Sequence, residues 1–269
     1  MTSSLEARHL GVSYKLRPDR LLGRAASLTA LADVSLTIGA GEAVGVVGES
    51  GSGKTTLASV LIGLIRPQTG EVLIDGVPAD DRSRQRIQMV YQDPVSSLNP
   101  RRTVGSVLTE IIRHHRLAPP GREAVRVGEL LELVGLPGLL RTRKPHELSG
   151  GQRQRVCIAR ALAAAPDFLI LDEAVAAVDV SIQAAVLQTL RELQSRLGIA
   201  TLFISHDLAV IRNSCERVAV MSAGRVVESG AVESVFADPQ HPYTRTLIDS
   251  SPQVRARRTG EPRNRRGNT

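Results

Sequence analysis

The sequence predicts an α/β fold, a parallel sheet interrupted by a helical insert. Three observations predict it. A short apolar segment, Ala43–Val47, runs into a glycine-rich loop and then a helical stretch. A second apolar segment, Phe168–Leu171, ends in two acids, Asp172 and Glu173. Beyond it, the helical pattern Ser181–Leu197 leads to a third apolar segment, Thr201–Ser205. That strand–helix–strand rhythm is the mark of parallel pairing, and continuous apolar runs suit strands buried on both faces.

Taken in order, Leu5–Tyr14 reads as a first strand. Lys15–Ala30, with Arg17, Pro18, Arg20 and Arg24, reads as an irregular insertion. Leu31–Ile38 alternates apolar and polar residues, as a half-buried strand does. Gly39-Ala40-Gly41 turns into the strand Ala43–Val47. Thr55–Ile65 has helical spacing, and Arg66-Pro67 stops it. Glu71–Ile74 with Asp75-Gly76 predicts a hairpin strand and its turn. Ile87–Tyr91 is another short strand. The character then changes. Thr103–Leu117 and Arg122–Val134 have helical spacing with no clear strand between them, so about 93–155 is expected to be an inserted helical subdomain. Gln152–Ala164 reads as a helix. Arg217–Met221 and Arg225–Glu228 predict an antiparallel pair around Ala223-Gly224. The domain expectation is a single domain over 1–253: a core of about 1–92 and 156–228, the helical insert, and a C-terminal extension over 229–253.

Composition bounds the partners. The chain has 269 residues and a net charge of +7. Residues 254–269 hold six arginines against Glu261 and few apolar residues, so most of that charge belongs to an expected disordered basic tail. Aromatics are 2% of the chain, which argues against stacking platforms for single-stranded nucleic acid. Cys157 and Cys215 show no metal spacing and read as reduced structural thiols. Met1–Gly11 has no apolar signal region, and no run of about 18 uncharged apolar residues occurs. The chain is expected not to span a membrane, while remaining able to work at one through partner subunits.

The chemistry lies in three places. Gly48-Glu49-Ser50-Gly51-Ser52-Gly53-Lys54-Thr55, followed by Thr56, fits the phosphate-binding pattern G-x-x-x-x-G-K-[ST] between a strand and a helix. Glycines let backbone N–H groups curl around phosphates, Lys54 is placed to reach the β/γ oxygens, and the Thr55 hydroxyl suits Mg²⁺. Only three lysines occur in the chain, against 31 arginines, and one falls where a phosphate point charge is needed. Asp172, at a buried strand end, can hold the Mg²⁺ shell, and Glu173 can polarise a water for in-line attack on a γ-phosphate. Third, Leu148-Ser149-Gly150-Gly151-Gln152 is a second phosphate-reading turn, with Ser149 as helix N-cap and two glycines at the helix start. One nucleotide does not easily touch both turns of one compact chain. Two chains arranged head to tail can share two nucleotides. His206, after the third apolar strand, faces the same crevice. His114-His115 do not share a helix face and suggest no metal site.

Leu148–Gln152 resembles the signature motif of ATP-binding-cassette (ABC) ATPases. Tyr14, Gly48–Thr55, Gln92, Leu148–Gln152, Phe168–Glu173, Asp179 and His206 follow in the order expected of that family, over about residues 5–252. The resemblance implies a P-loop NTPase (RecA-like) core with an antiparallel β subdomain and an inserted α-helical subdomain. It implies ATP and Mg²⁺, with Tyr14 stacking on adenine and Gln92 reaching Mg²⁺ or the attacking water. It also implies His206 as the switch histidine at the γ-phosphate and Asp179 as the acid of the D-loop. Tyr91–Arg101, and His241-Pro242-Tyr243-Thr244-Arg245-Thr246-Leu247 with Ser251-Pro252, look like the oligopeptide/dipeptide/nickel importer group. The group's occasional C-terminal cysteine cluster is lacking, so no iron–sulfur site is expected. The implied partners are two transmembrane permease subunits, a second ATPase subunit (identical or distinct) and, indirectly, an extracytoplasmic solute-binding protein. The implied location is the cytoplasmic face of a bacterial membrane.

One departure stands out. After Glu173 the family usually reads Pro-Thr-Ser-Ala-Leu-Asp, whereas here it reads Ala174-Val175-Ala176-Ala177-Val178-Asp179. That puts cross-dimer contacts and turnover rate in question while leaving the catalytic inventory complete. A rival class is a soluble ABC ATPase acting on nucleic acid or ribosomes through the basic tail. The single cassette, the lack of coiled-coil arms and the importer-like stretches count against it, and the importer-like stretches also count against an exporter.

Overall fold

A computed structural model describes residues 3–15, 27–93, 97–174 and 180–251. Its centre is a six-stranded sheet in the order β10-β9-β3-β8-β7-β6. Here β3 is Ala43–Val47, β6 Ile87–Val90, β7 Phe168–Asp172, β8 Ala200–Ile204, β9 Arg217–Ser222 and β10 Arg225–Ala231. β9, β3, β8, β7 and β6 run parallel, and β10 returns antiparallel to β9. All five residues of β3, β7 and β8 are buried. Their side chains alternate between two cores, as the two-residue period requires. Ala43, Val47, Leu169, Leu171 and Phe203 face one core, and Val44, Val46, Phe168, Ile170, Leu202 and Ile204 face the other.

The second core is closed by an antiparallel sheet, β2-β1-β4-β5, and by helix α1. These are β1 Leu5–Lys15, β2 Ser27–Ile38, β4 Thr69–Ile74, β5 Val77–Pro78 and α1 Lys54–Leu61. The first core is closed by helices. α2 (Asp81–Arg84) is a short surface turn; α3 (Val104–His114), α4 (Glu123–Leu133) and α5 (Gly150–Leu162) pack together. α6 (Val180–Leu197), α7 (Leu208–Ser214), α8 (Val232–Ala237) and α9 (Pro242–Asp249) complete that side. α5 runs unbroken from Gly150, so a boundary at 155/156 falls inside one helix.

Two sequence expectations change. The insertion expected over Lys15–Ala30 is shorter, because Lys15 pairs with Ser27 and Tyr14 with Leu28. Ser27, Leu28 and Thr29 are exposed, so no burial pattern marks them as strand; the ladder alone holds them. Helix α1 ends at Leu61 instead of Ile65. Gly63 (φ 87°) adopts the left-handed conformation that terminates helices, and Arg84 donates to the carbonyls of Val60 and Leu61 at 2.8 Å each. Residues 16–26 and 252–269, the latter including the expected basic tail, lie outside the described residues.

Candidate functional site

The loop after β3 is shaped by its own surroundings. Gly48 (φ 153°) and Gly53 (φ 104°) take backbone angles that side chains rarely adopt. A Cβ on Gly48 would run into the Met221 carbonyl, and one on Gly53 would lie 2.5 Å from the Ala30 carbonyl. Gly51 (φ 82°) faces open space. The β9–β10 turn braces the loop: Gly224 N–H donates to the Ser52 carbonyl at 3.0 Å and its own carbonyl accepts the Ala32 N–H at 2.8 Å. Ala223 (φ 45°) and Gly224 (φ 77°) make that turn tight enough to reach.

Lys54 is 6% exposed. Its Nζ donates to the carbonyls of Gly48 (2.7 Å) and Glu49 (2.8 Å) and to Ser52 Oγ (3.4 Å). Burial holds the ammonium below the ordinary lysine value, against the pull of the Glu173, Asp172 and Glu49 carboxylates. Ser52 is buried, Glu49 and Ser50 are exposed, and Thr55 and Thr56 open α1 as exposed and half-buried residues.

The acids come from the neighbouring strands. β3 pairs with β8, and β8 with β7, so the loop, His206 and Asp172-Glu173 all leave carboxyl ends of one parallel sheet. Asp172 is 7% exposed, and burial raises its carboxyl above the usual value. The Thr55 hydroxyl and the Lys54 charge work the other way, while the Glu173 charge adds to the rise. Glu173 sits at φ 48°, a left-handed angle that costs a non-glycine residue ~1–3 kcal/mol. Its N–H donates to the Ile204 carbonyl at 2.9 Å, and its Oε1 lies 3.1 Å from His206 Nδ1. The fold thus brings together Lys54, Thr55, Asp172, Glu173 and His206. A buried carboxylate beside a threonine hydroxyl is an oxygen donor set that fits a hard divalent cation.

Other expected residues lie on other elements. Gln92 is exposed on the loop after β6, at the same end of the sheet but two strands from β8. Tyr14 is 40% exposed on β1 in the antiparallel sheet. Asp179 lies outside the described residues. Ser149 caps α5, its Oγ accepting the Gln152 N–H at 3.3 Å while Gln152 Oε1 accepts the Ser149 N–H at 2.9 Å. This reciprocal pair is a capping box. Beside it is a hollow of about 370 Å³ lined by residues including Ser149, Gly151, Gln152, Arg155 and Ala185, none of them from the Gly48–Thr55 loop. Sequence reasoning missed the Gly224 brace and the Tyr243 hydroxyl, which accepts the Glu49 N–H at 2.9 Å. Tyr243 belongs to a stretch marked as family-like, but nothing local to it points at residue 49.

A phosphate-type glycine loop, a parallel sheet with acids at its carboxyl edge, and an antiparallel sheet on its other side define a P-loop nucleotide-binding class of protein. Comparison narrows it. The family model described as ABC transporter matches residues 31–176, and the one described as oligopeptide/dipeptide transporter, C-terminal region, matches 227–269. A putative peptide import ATP-binding protein of Brucella abortus is 48% identical over 236 residues, covering 85% of this chain and 71% of the relative. One of Brucella ovis is 47% identical over 258 residues, covering 93% and 79%. Among solved structures, cbiO1 from Clostridium perfringens, part of the ABC transporter complex cbiONQ, has a TM-score of 0.74 at 30% identity, covering 87% of this chain and 90% of that one. The ATP-binding cassette MJ0796, solved as a dimer with ADP and Pi, has a TM-score of 0.72 at 30% identity, covering 85% and 98%. The chain belongs to the ABC transporter family, as its ATP-binding and ATP-hydrolysing component.

Proposed function

We propose that this chain energises an importer of oligopeptides, dipeptides or nickel-type solutes. The observation that carries the chemistry is the meeting of Lys54, Thr55, Asp172, Glu173 and His206 on neighbouring parallel-strand ends. The observation that carries the class is the C-terminal match over residues 227–269, beside relatives with peptide-import names.

Backbone N–H groups of the Gly48–Thr55 loop hold the ATP phosphates, and Lys54 gives up its carbonyl partners to meet the β/γ oxygens. Thr55 and Asp172, with Gln92 from the neighbouring loop, hold Mg²⁺, which neutralises charge on the phosphate oxygens when bound. Glu173 orients and polarises the attacking water, and His206, 3.1 Å from its carboxylate, contacts the γ-phosphate. Tyr14 supports the adenine. The Ser149-Gly150-Gly151-Gln152 turn, with Ser149 exposed, serves the ATP held by a second ATPase subunit, identical or distinct. Gln92 and the helices after it pass closure to two transmembrane permease subunits that receive solute from an extracytoplasmic binding protein. Among the described residues no helix is long and apolar enough to cross a membrane. In this reading, attachment at the cytoplasmic face runs through those subunits.

Glu173→Gln tests the reading in the assembled transporter. ATP binding persists, steady-state hydrolysis falls by about 10²–10⁴-fold, and a nucleotide-bound dimer accumulates on sizing. Rapid turnover by this variant would remove Glu173 from the role of base. Association with nucleic acid that salt disrupts, with no recovery from membranes, would favour the soluble class instead.

A further inference from the structure

The phosphate loop is also held from outside, by the C-terminal segment. Tyr243 lies in the first turn of α9, and its hydroxyl accepts the Glu49 N–H at 2.9 Å. The residues around it build that reach. His241 caps α9, its Nδ1 accepting the Tyr243 N–H at 3.2 Å, and Pro242 opens the helix. Glu228 on β10 accepts the N–H groups of Gln240 (2.8 Å) and His241 (3.0 Å), tying the start of the segment to the main sheet. Ile248 of α9 is fully buried, and the Tyr243 ring packs half-buried against the same core. A capped and anchored helix therefore places the hydroxyl.

The bond acts on one peptide unit. The Gly48 carbonyl and the Glu49 N–H belong to the same plane. Lys54 Nζ donates to the carbonyl at 2.7 Å, and Tyr243 takes the N–H. Gly48 puts no Cβ beside this plane, so its orientation rests on the bonds that its two ends make. When Lys54 turns to phosphate, the hold on the carbonyl is lost and the hold on the N–H stays.

We propose that Tyr243 is a positioning residue of the ATP site: its hydroxyl keeps the Gly48–Glu49 peptide oriented while Lys54 engages the phosphates. The C-terminal segment is then a structural member of the nucleotide site. This inference rests on the proposed role of Lys54.

Tyr243→Phe keeps the ring and its packing and removes only the hydroxyl. In the full-length chain, calorimetric MgATP affinity falls about fivefold, the size of one neutral hydrogen bond. The Glu49 amide exchanges faster with solvent, and the melting temperature stays at the wild-type value. Lys54→Ala, run in parallel, loses most MgATP binding. Wild-type affinity in Tyr243→Phe, with Lys54→Ala defective, overturns the inference and leaves the loop assignment standing. Normal binding by Lys54→Ala overturns the loop assignment itself. A fall in melting temperature of Tyr243→Phe that accounts for its affinity loss assigns Tyr243 to packing alone and also overturns the inference.

Discussion

Gly48 and Gly150 each open a turn suited to phosphate, and the chain treats them differently. Around Gly48 the loop is enclosed: a side chain there would strike the Met221 carbonyl and approach Ser52 Oγ at 2.8 Å, and φ is 153°. At Gly150 an added Cβ would meet nothing within 4 Å among the described residues, and the turn is held by its own capping box. Ser149 beside it is exposed. The first turn needs glycine for its own fold. At the second, the fold of this chain gives glycine no task, and in a helix glycine costs ~0.5–1 kcal/mol relative to alanine. What a missing side chain does provide is close approach from outside, which in the proposed dimer is made by the ATP of a second subunit. The difference separates a site the chain builds from one it lends.

Three substitutions sharpen or break that contrast. Gly48→Ala has the largest effect on the protein alone. It loses about 3 kcal/mol or more from backbone strain and overlap, read as a melting temperature lowered by roughly 6 °C or more. Gly150→Ala leaves the melting temperature unchanged or raised by about 1–2 °C, while ATP hydrolysis by the assembled complex falls about tenfold or more. Destabilisation of the isolated chain by Gly150→Ala would end the distinction between the turns. Ser149→Ala lies between these two for the fold, costing about 1 kcal/mol with the cap. ATP-driven dimerisation, measured by light scattering, weakens by about tenfold with the loss of a hydrogen bond to a charged group. Equal dimerisation would take Ser149 out of the shared site.

The fold was most legible where burial is two-sided. Ala43–Val47 and Phe168–Leu171 are polar-free runs, Thr201–Ser205 has the apolar centre Leu202-Phe203-Ile204, and each lies within or against a strand buried on both faces. It was least legible where the backbone is held by partners rather than by burial. Ser27–Thr29 carry no strand pattern because they are exposed and only the β1 ladder orders them. Helices α2, α7, α8 and α9 span eight residues or fewer, too short for helical periodicity to rise above chance. Three of them start at side-chain caps instead: Asp80 Oδ1 accepts the Ser83 N–H at 2.7 Å, Asp207 Oδ1 the Ala209 N–H at 2.8 Å and His241 Nδ1 the Tyr243 N–H at 3.2 Å.

The candidate site divides along the same line. Lys54, Asp172, Glu173 and His206 could be picked out of the sequence together, because each lies at or after the end of a recognisable strand and carries a side chain suited to phosphate chemistry. The chain order also implied which ends of the strands they occupy. Their mutual placement is another matter. Strand neighbours β3, β8 and β7 are far apart in sequence and meet through register: Val46 opposite Ile204, and Ile204 next to Asp172. No local pattern encodes that register, because it arises from two faces of each strand seeking separate cores at once. The Tyr243–Glu49 bond, across 194 positions, has the same origin. Residue type and spacing therefore settled the chemistry available to this protein, and packing settled which of those groups touch.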